Sequence, residues 1–264
     1  MRLVDRDREL AQLASCFAGA ASRRVAVVTG PPGIGKTALL HAAGHAATAP
    51  GEILLTASGS PLGASVAHGM LRQLFAALAR ERAAGAAPFD GPGELLHRLV
   101  AGGAAAADTE AIVHAVHWVL SSLARESGVL VVLDDVPWAD PASGEVLGAA
   151  LGLLHDDPVR VLAGVRESPR SERTRFASAV VALADVVVRP RPLGVDAIAE
   201  LLRTTPESAR RVAELSGGTA FYVVELGAQL GDDPAPGASP RIVESILGRL
   251  ERLGPTPHRV ARAV

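Results

Sequence analysis

The stretch Gly30-Pro31-Pro32-Gly33-Ile34-Gly35-Lys36-Thr37 decides how this chain is read. It is Gly, four residues, then Gly-Lys-Thr, the spacing of a phosphate-binding loop. Glycines let the backbone wrap closely, so that successive N–H groups point at one anion. The helix that opens here adds its positive end. The reading assigns nucleotide contacts to Gly30, Pro31, Pro32, Gly33, Ile34, Gly35, Lys36, Thr37 and Ala38. Lys36 reaches the β- and γ-phosphates and the Thr37 hydroxyl ligates Mg²⁺. The bland alternative is a plain Gly/Pro turn between a strand and a helix. Context weighs against it. Val25 to Thr29 is a short apolar run, as in a strand buried on both faces of a parallel sheet. A helix is expected from about Gly35 to Ala47, and Lys36 is the only lysine in the chain.

Working outward, Val129 to Leu133 is the clearest buried strand, and it ends in Asp134-Asp135. A carboxylate at such a strand end can hold Mg²⁺, the role expected of Asp134. A second one beside it can deprotonate an attacking water, the role expected of Asp135. Without the loop, the two acids would read as a capped turn. Arg166 closes the strand Val159 to Val165 at an end that should lie near the loop, where it can meet the γ-phosphate. The competing reading pairs it with Glu167. Arg170, Arg173 and Arg175 read as a solvated basic stretch.

Strands are also expected at Ile53 to Ala57 and Asp185 to Val188, with helices at Asp7 to Ala20, Val66 to Arg80, Glu110 to Glu126 and Ala142 to Leu154. Alternating strands and helices imply a mainly parallel α/β sheet. Residues 83–109 read as a surface excursion with a short helix from Glu94 to Val100. Beyond Pro192 three helices follow without a strand: Val195 to Arg203, Pro206 to Leu215 and Thr219 to Leu230. Gly231 to Pro240 is a linker by composition. Arg241 to Leu253 is amphipathic. The helix that Thr256-Pro257 announces is incomplete at Val264, so the sequence reads as part of a longer protein.

Composition narrows the function. The 264 residues are 48% apolar with a formal charge of −2, which supports a large core and argues against a broad basic face for nucleic acid. Cys16 is the single cysteine, so no disulfide framework or thiolate zinc site is expected, and a reducing cytoplasm fits. The charged N-terminus is no signal peptide, and no run reads as a membrane span. The pairs His41/His45 and His114/His117 lack the third ligand that a metal site needs.

Taken in order, Leu3-Val4-Asp5-Arg6-Asp7-Arg8-Glu9, the loop Gly30 to Thr37 and Leu133-Asp134-Asp135-Val136-Pro137-Trp138-Ala139-Asp140 resemble the ATPase module of the STAND class, signal-transduction ATPases related to AAA+ proteins. The likeness is to the module of large LuxR-type transcriptional regulators of actinomycetes. Gly217 to Leu226 resembles the lid motif of that class. Asp5 stands where the family usually has Gly, Thr219-Ala220 where it has Asn-Pro, and Val136-Pro137 where Leu-His or Leu-Gln is usual.

The resemblance implies a P-loop NTPase three-layer α/β sandwich with a mainly parallel five-stranded sheet over residues 1–193. It implies a helical lid at 194–231, a linker at 232–240 and the start of a winged helix at 241–264. It also implies Val4 and Arg6 near the base, ATP or ADP with Mg²⁺, slow hydrolysis, an ADP-closed and ATP-open switch, and an ATP-dependent homo-oligomer. DNA would be read only by a domain absent from this chain. Two other readings are a DNA-associated AAA+ ATPase of the loader type, against which the charge weighs, and a P-loop small-molecule kinase, for which 83–109 makes a poor substrate lid.

Overall fold

The computed structural model describes residues 3–19, 21–83, 90–102, 108–167 and 174–229. Five strands lie among them: β1 (Arg24–Gly30), β2 (Ile53–Ser58), β3 (Val129–Asp134), β4 (Val159–Arg166) and β5 (Val186–Val188). They form one sheet in the order β2-β3-β4-β1-β5, and every neighbouring pair is parallel. Parallel strands need crossovers, and helices supply them. Helix α1 (Asp7–Phe17) precedes β1, and the connections carry α2 (Lys36–Ala47), α3 (Gly69–Ala83), α4 (Gly93–Val100), α5 (Thr109–Glu126), α6 (Pro141–Leu153) and α7 (Arg175–Ala182).

Strand side chains alternate between faces, and the two faces build two cores. Val25, Val27, Val129, Val131, Leu133, Val161 and Ala163 pack with residues of α3, α4, α5, α6 and α7. Ala26, Val28, Leu130, Val132 and Leu162 pack with Leu13 and Phe17 of α1 and Leu39, Leu40 and Ala43 of α2. The continuously apolar strands of the sequence are therefore apolar because both faces are covered.

The chain divides into two compact units: residues 1–32 with 36–190, and Gly33–Gly35 with 191–264. In the second unit, α8 (Val195–Leu202), α9 (Pro206–Ser216) and α10 (Ala220–Gln229) follow one another without a strand among the described residues. Thr205 caps α9 by accepting from the Ser208 N–H, with Pro206 at the first helical position. Gly218 sits at φ +70, and a Cβ there would meet the Leu193 carbonyl at 2.6 Å, so this turn admits only glycine.

Two expectations change. The helix expected to Ala20 stops at Phe17, and Gly19 adopts φ +62 just after it. The excursion at 83–109 is not all surface, because Leu96 and Leu99 of α4 are fully buried in the first core. Arg175 opens α7 and is itself exposed, as a solvated face requires, while Phe176, Ala177 and Val180 of the same helix are buried. Arg170, Arg173, the linker and the amphipathic stretch from Arg241 lie outside the described residues.

Asp5 adopts φ +55, the left-handed region that glycine enters at no cost and Asp enters at some. Asp5→Gly is expected to stabilise the fold slightly or leave it unchanged, while Asp5→Val costs about 1–2 kcal/mol, measured as midpoints of urea unfolding. A Val variant as stable as the wild type would contradict the left-handed assignment.

Candidate functional site

All five strands are parallel, so their carboxyl ends share one edge of the sheet, where doubly wound α/β folds bind ligands. The loop of residues 30–36 leaves β1 there. The register places Gly30 beside Arg166, the last residue of β4, and Asp134, the last of β3, beside Ser58. Folding thus delivers Lys36, Thr37, Asp134, Asp135 and Arg166 to one edge from sequence-distant segments. Val4 and Arg6 lie in the segment just before α1, where Arg6 is buried and its guanidinium donates to the Asp5 carbonyl at 2.8 Å.

The loop has the backbone that its sequence demands. Gly33 and Gly35 adopt φ +81 and +103, both in the left-handed region. Ile34 is buried, and in the second unit the Gly33 carbonyl accepts from the Phe221 N–H at 2.9 Å. Lys36 is buried, and its ammonium donates to the carbonyls of Gly30 (2.8 Å) and Pro31 (2.9 Å). Burial lowers its pKa, and the neighbouring Arg166 lowers it further, partly offset by Asp135 and Asp134. Its charge is thus held in the loop by carbonyl dipoles that an anion can replace.

Thr37, at the start of α2, donates its hydroxyl to Asp134 Oδ2 at 2.7 Å. Asp134 Oδ1 accepts from the Asp135 N–H at 2.8 Å. Two hard oxygen donors, one of them charged, thus lie side by side, the donor chemistry that Mg²⁺ prefers. Gly164 of β4 makes this possible. A Cβ there would come within 2.7 Å of Asp134 Oδ1 and of Leu40 Cδ1. No sequence motif marks this glycine; it is explained only by the packing of β4 beside β3.

Asp135 turns away from the strand. Its backbone is left-handed (φ 48, ψ 44), a conformation that Asp tolerates better than most residues. A short 3₁₀ turn, Val136–Trp138, follows. Gly59 packs against that turn so closely that a Cβ would collide with the Asp135 carbonyl and come within 2.7 Å of the Trp138 carbonyl carbon. The reversal aims the Asp135 carboxylate at Arg166, which grips both its oxygens: Nε to Oδ1 and NH2 to Oδ2, each 2.6 Å. This pair was not anticipated, and Glu167, the expected alternative partner, instead faces Arg189 at 3.2 Å. The hydrogen bond to Asp135 raises the Arg166 pKa, against the opposing effect of burial.

The last residue of the acidic string is the least exposed of its carboxylates. Asp140 is 2% exposed and accepts from the N–H groups of His68 (2.8 Å), Met70 (3.1 Å) and Ser143 (2.9 Å). It therefore caps α6 and also holds the segment that opens α3. The Ser143 hydroxyl adds to the same junction by accepting from the Leu71 N–H at 3.1 Å.

Three of the four paired histidines are exposed, and His117 is half-buried. His41 and His45 are exposed with ring centroids 6.5 Å apart, while His114 faces Glu110 and His117 faces Asp157. Among the described residues no group of three potential ligands could hold a metal ion. No described helix is long and apolar enough to cross a membrane.

The Aeropyrum pernix ORC2 protein, solved in ADPNP–ADP complexes, aligns with 98% of this chain and 71% of its own at 17% identity, with a TM-score of 0.57. A mutant of Thermotoga maritima RuvB aligns over 94% of this chain and 71% of that one, at 15% identity and a TM-score of 0.51. The Aeropyrum pernix ORC1 protein, solved in complex with DNA, aligns over 95% and 66%, at 19% identity and a TM-score of 0.51. These likenesses establish a shared fold. The chain spans about two thirds to seven tenths of those chains, and no curated protein matches it. The family model for the AAA ATPase domain matches residues 2–162, well over half of the sequence, and the chain therefore belongs to the AAA ATPase domain family.

Proposed function

We propose that this chain is an ATP-binding and slowly hydrolysing regulatory switch module of the STAND type, working in the cytoplasm within a LuxR-type transcriptional regulator. The observation that carries the nucleotide chemistry is the 2.7 Å approach of the Thr37 hydroxyl to Asp134, beside a buried Lys36. In this reading the backbone from Gly30 to Ala38 cradles the phosphates, and Val4 and Arg6 lie near the base. Lys36 exchanges its loop carbonyls for β- and γ-phosphate oxygens. Thr37 and Asp134 hold Mg²⁺, which when bound offsets phosphate charge. Asp135 orients a water and accepts its proton as the water oxygen bonds to the γ-phosphorus. The bond from that phosphorus to the bridging oxygen breaks, leaving ADP and phosphate.

The switch is carried by the resemblance of Leu133 to Asp140 and of Gly217 to Leu226. Residues 1–193 form the nucleotide domain, 194–231 the lid, 232–240 a linker and 241–264 the start of a winged helix. ADP favours a closed state, and ATP favours an open one that assembles into homo-oligomers. A DNA-binding domain elsewhere in the parent protein reads the result.

Phosphate release from ATP by the purified chain tests this. Slow release without any acceptor is expected, well below the roughly 1–100 per second of kinases. Efficient transfer to a small-molecule acceptor would replace this reading with a kinase.

A further inference from the structure

The first N–H groups of a helix have no acceptor within it. In α10 the Val223 N–H donates to the Thr219 carbonyl at 2.9 Å, so Ala220 is the first helical position. The Phe221 N–H, at the second, donates outside the helix, to the Gly33 carbonyl at 2.9 Å. The phosphate loop thus supplies part of the cap of α10.

Packing keeps this contact close. A Cβ on Gly33 would come within 2.9 Å of Phe221 Cβ and 3.2 Å of Thr219 Cγ2, and one on Gly35 would stand 3.6 Å from Ala220 Cβ. Gly33–Gly35 accordingly belong to the same compact unit as α10. No peptide bond among the described residues is cis. In a planar trans peptide the carbonyl and the following N–H point to opposite sides. Holding the Gly33 carbonyl toward α10 therefore fixes the direction of the Ile34 N–H, away from α10. Ile34 is one of the loop residues whose backbone the nucleotide reading assigns to the phosphates.

We propose that Phe221 is a positioning residue for phosphate binding: its backbone N–H presets the Gly33–Ile34 peptide in the orientation that a bound phosphate uses. This deepens the nucleotide reading given above and rests on it. The contribution comes from the main chain, so it is independent of the nucleotide base and of the Phe221 ring. The coupling also runs both ways. If the contact strengthens phosphate binding, bound phosphate strengthens the contact by the same factor.

The test is calorimetric titration of the full 264-residue chain with Mg-pyrophosphate, which carries no base, and with Mg-ADP. Phe221→Pro removes the donor, whereas Phe221→Ala removes the ring and keeps the donor. The ratio of their dissociation constants isolates the N–H. It is expected to be about three- to tenfold, the net scale of one hydrogen bond, and equal for the two ligands. Ala220→Pro is the control for proline itself. It occupies the first helical position, where proline is favoured, and keeps the Phe221 donor, so it should shift either constant by less than about twofold. Should Phe221→Pro impair folding, the wild type decides alone. Hydrogen exchange of its Phe221 amide is expected to slow about three- to tenfold under saturating Mg-pyrophosphate, and unchanged exchange would overturn the proposal.

A ratio near unity for pyrophosphate, or no binding of it by a wild type that binds Mg-ADP, overturns the positioning alone. A ratio that departs from unity only for ADP assigns Phe221 to the base and overturns it too. An equal loss in Ala220→Pro makes the effect one of the helix start, with the same consequence. A wild-type chain that binds neither ligand overturns the nucleotide reading itself.

Discussion

Asp135→Asn is expected to bind ATP and to hydrolyse it at least about a hundredfold more slowly than the wild type, within the 10²–10⁴ range of general-base contributions. Asn keeps the size of the side chain and can still accept a hydrogen bond from Arg166, but it cannot take a proton from water. An interaction that matters mainly in the transition state is lost from turnover and not from ground-state affinity. Asp134→Asn should behave differently. It removes the charge from the oxygen pair formed with Thr37, so it should weaken Mg²⁺-dependent binding itself. Single-turnover hydrolysis and equilibrium titration separate the two effects. Normal hydrolysis by Asp135→Asn, together with an Asp134→Asn variant that binds but does not turn over, would reverse the roles. Two variants indistinguishable from wild type would reduce this strand end to a capped turn.

Asp140→Ala is expected to cost about 3–4 kcal/mol of stability. Three N–H donors, on His68, Met70 and Ser143, would lose their common acceptor in a place that water barely reaches. Removing the partner of a buried donor incurs its full desolvation cost. Burial alone would raise the Asp140 pKa, but hydrogen bonds from Ser143, Met70 and His68 outweigh it and hold the carboxyl below its usual value. The sign follows. A lowered folded-state pKa contributes stability above the unfolded value of about 4, and that contribution is lost as pH falls through the folded one. The gap between wild type and Asp140→Ala should therefore be constant near neutrality and narrow in acid. Urea midpoints from pH 7 down to pH 3 would show it. A cost under about 1 kcal/mol at pH 7 would contradict the double-cap role.

The sheet was legible because its signals are strong and local. Val25 to Thr29, Val129 to Leu133 and Val159 to Val165 are apolar with little interruption, and each lies within an observed strand. The loop was legible because Gly33 and Gly35 need the left-handed backbone, and because its lysine is unique in the sequence. What stayed hidden depends on contacts between distant segments. Gly164 leaves no mark in the sequence because its role is to make room for Asp134, which comes from another strand. Asp140 sits inside a recognisable string, but its tie to His68 and Met70 needs the folded chain. The Arg166 partner was missed for the same reason: sequence proximity offers Glu167, whereas the left-handed turn at Asp135 brings the stronger grip. Helix α7 was missed although α4 and α8, equally short, were read.

Every role proposed above depends on the loop from Gly30 to Thr37 binding the phosphates of ATP and ADP. Thermal unfolding of the wild type and of Lys36→Ala, each with and without Mg²⁺ and a saturating excess of nucleotide, tests it most directly. A ligand at a hundred times its dissociation constant stabilises the folded state by about 2.7 kcal/mol, a rise of several degrees in the midpoint. That rise is expected for the wild type with either nucleotide, and it should nearly disappear in Lys36→Ala. An equal rise in both proteins, or none in the wild type, would contradict phosphate binding by this loop.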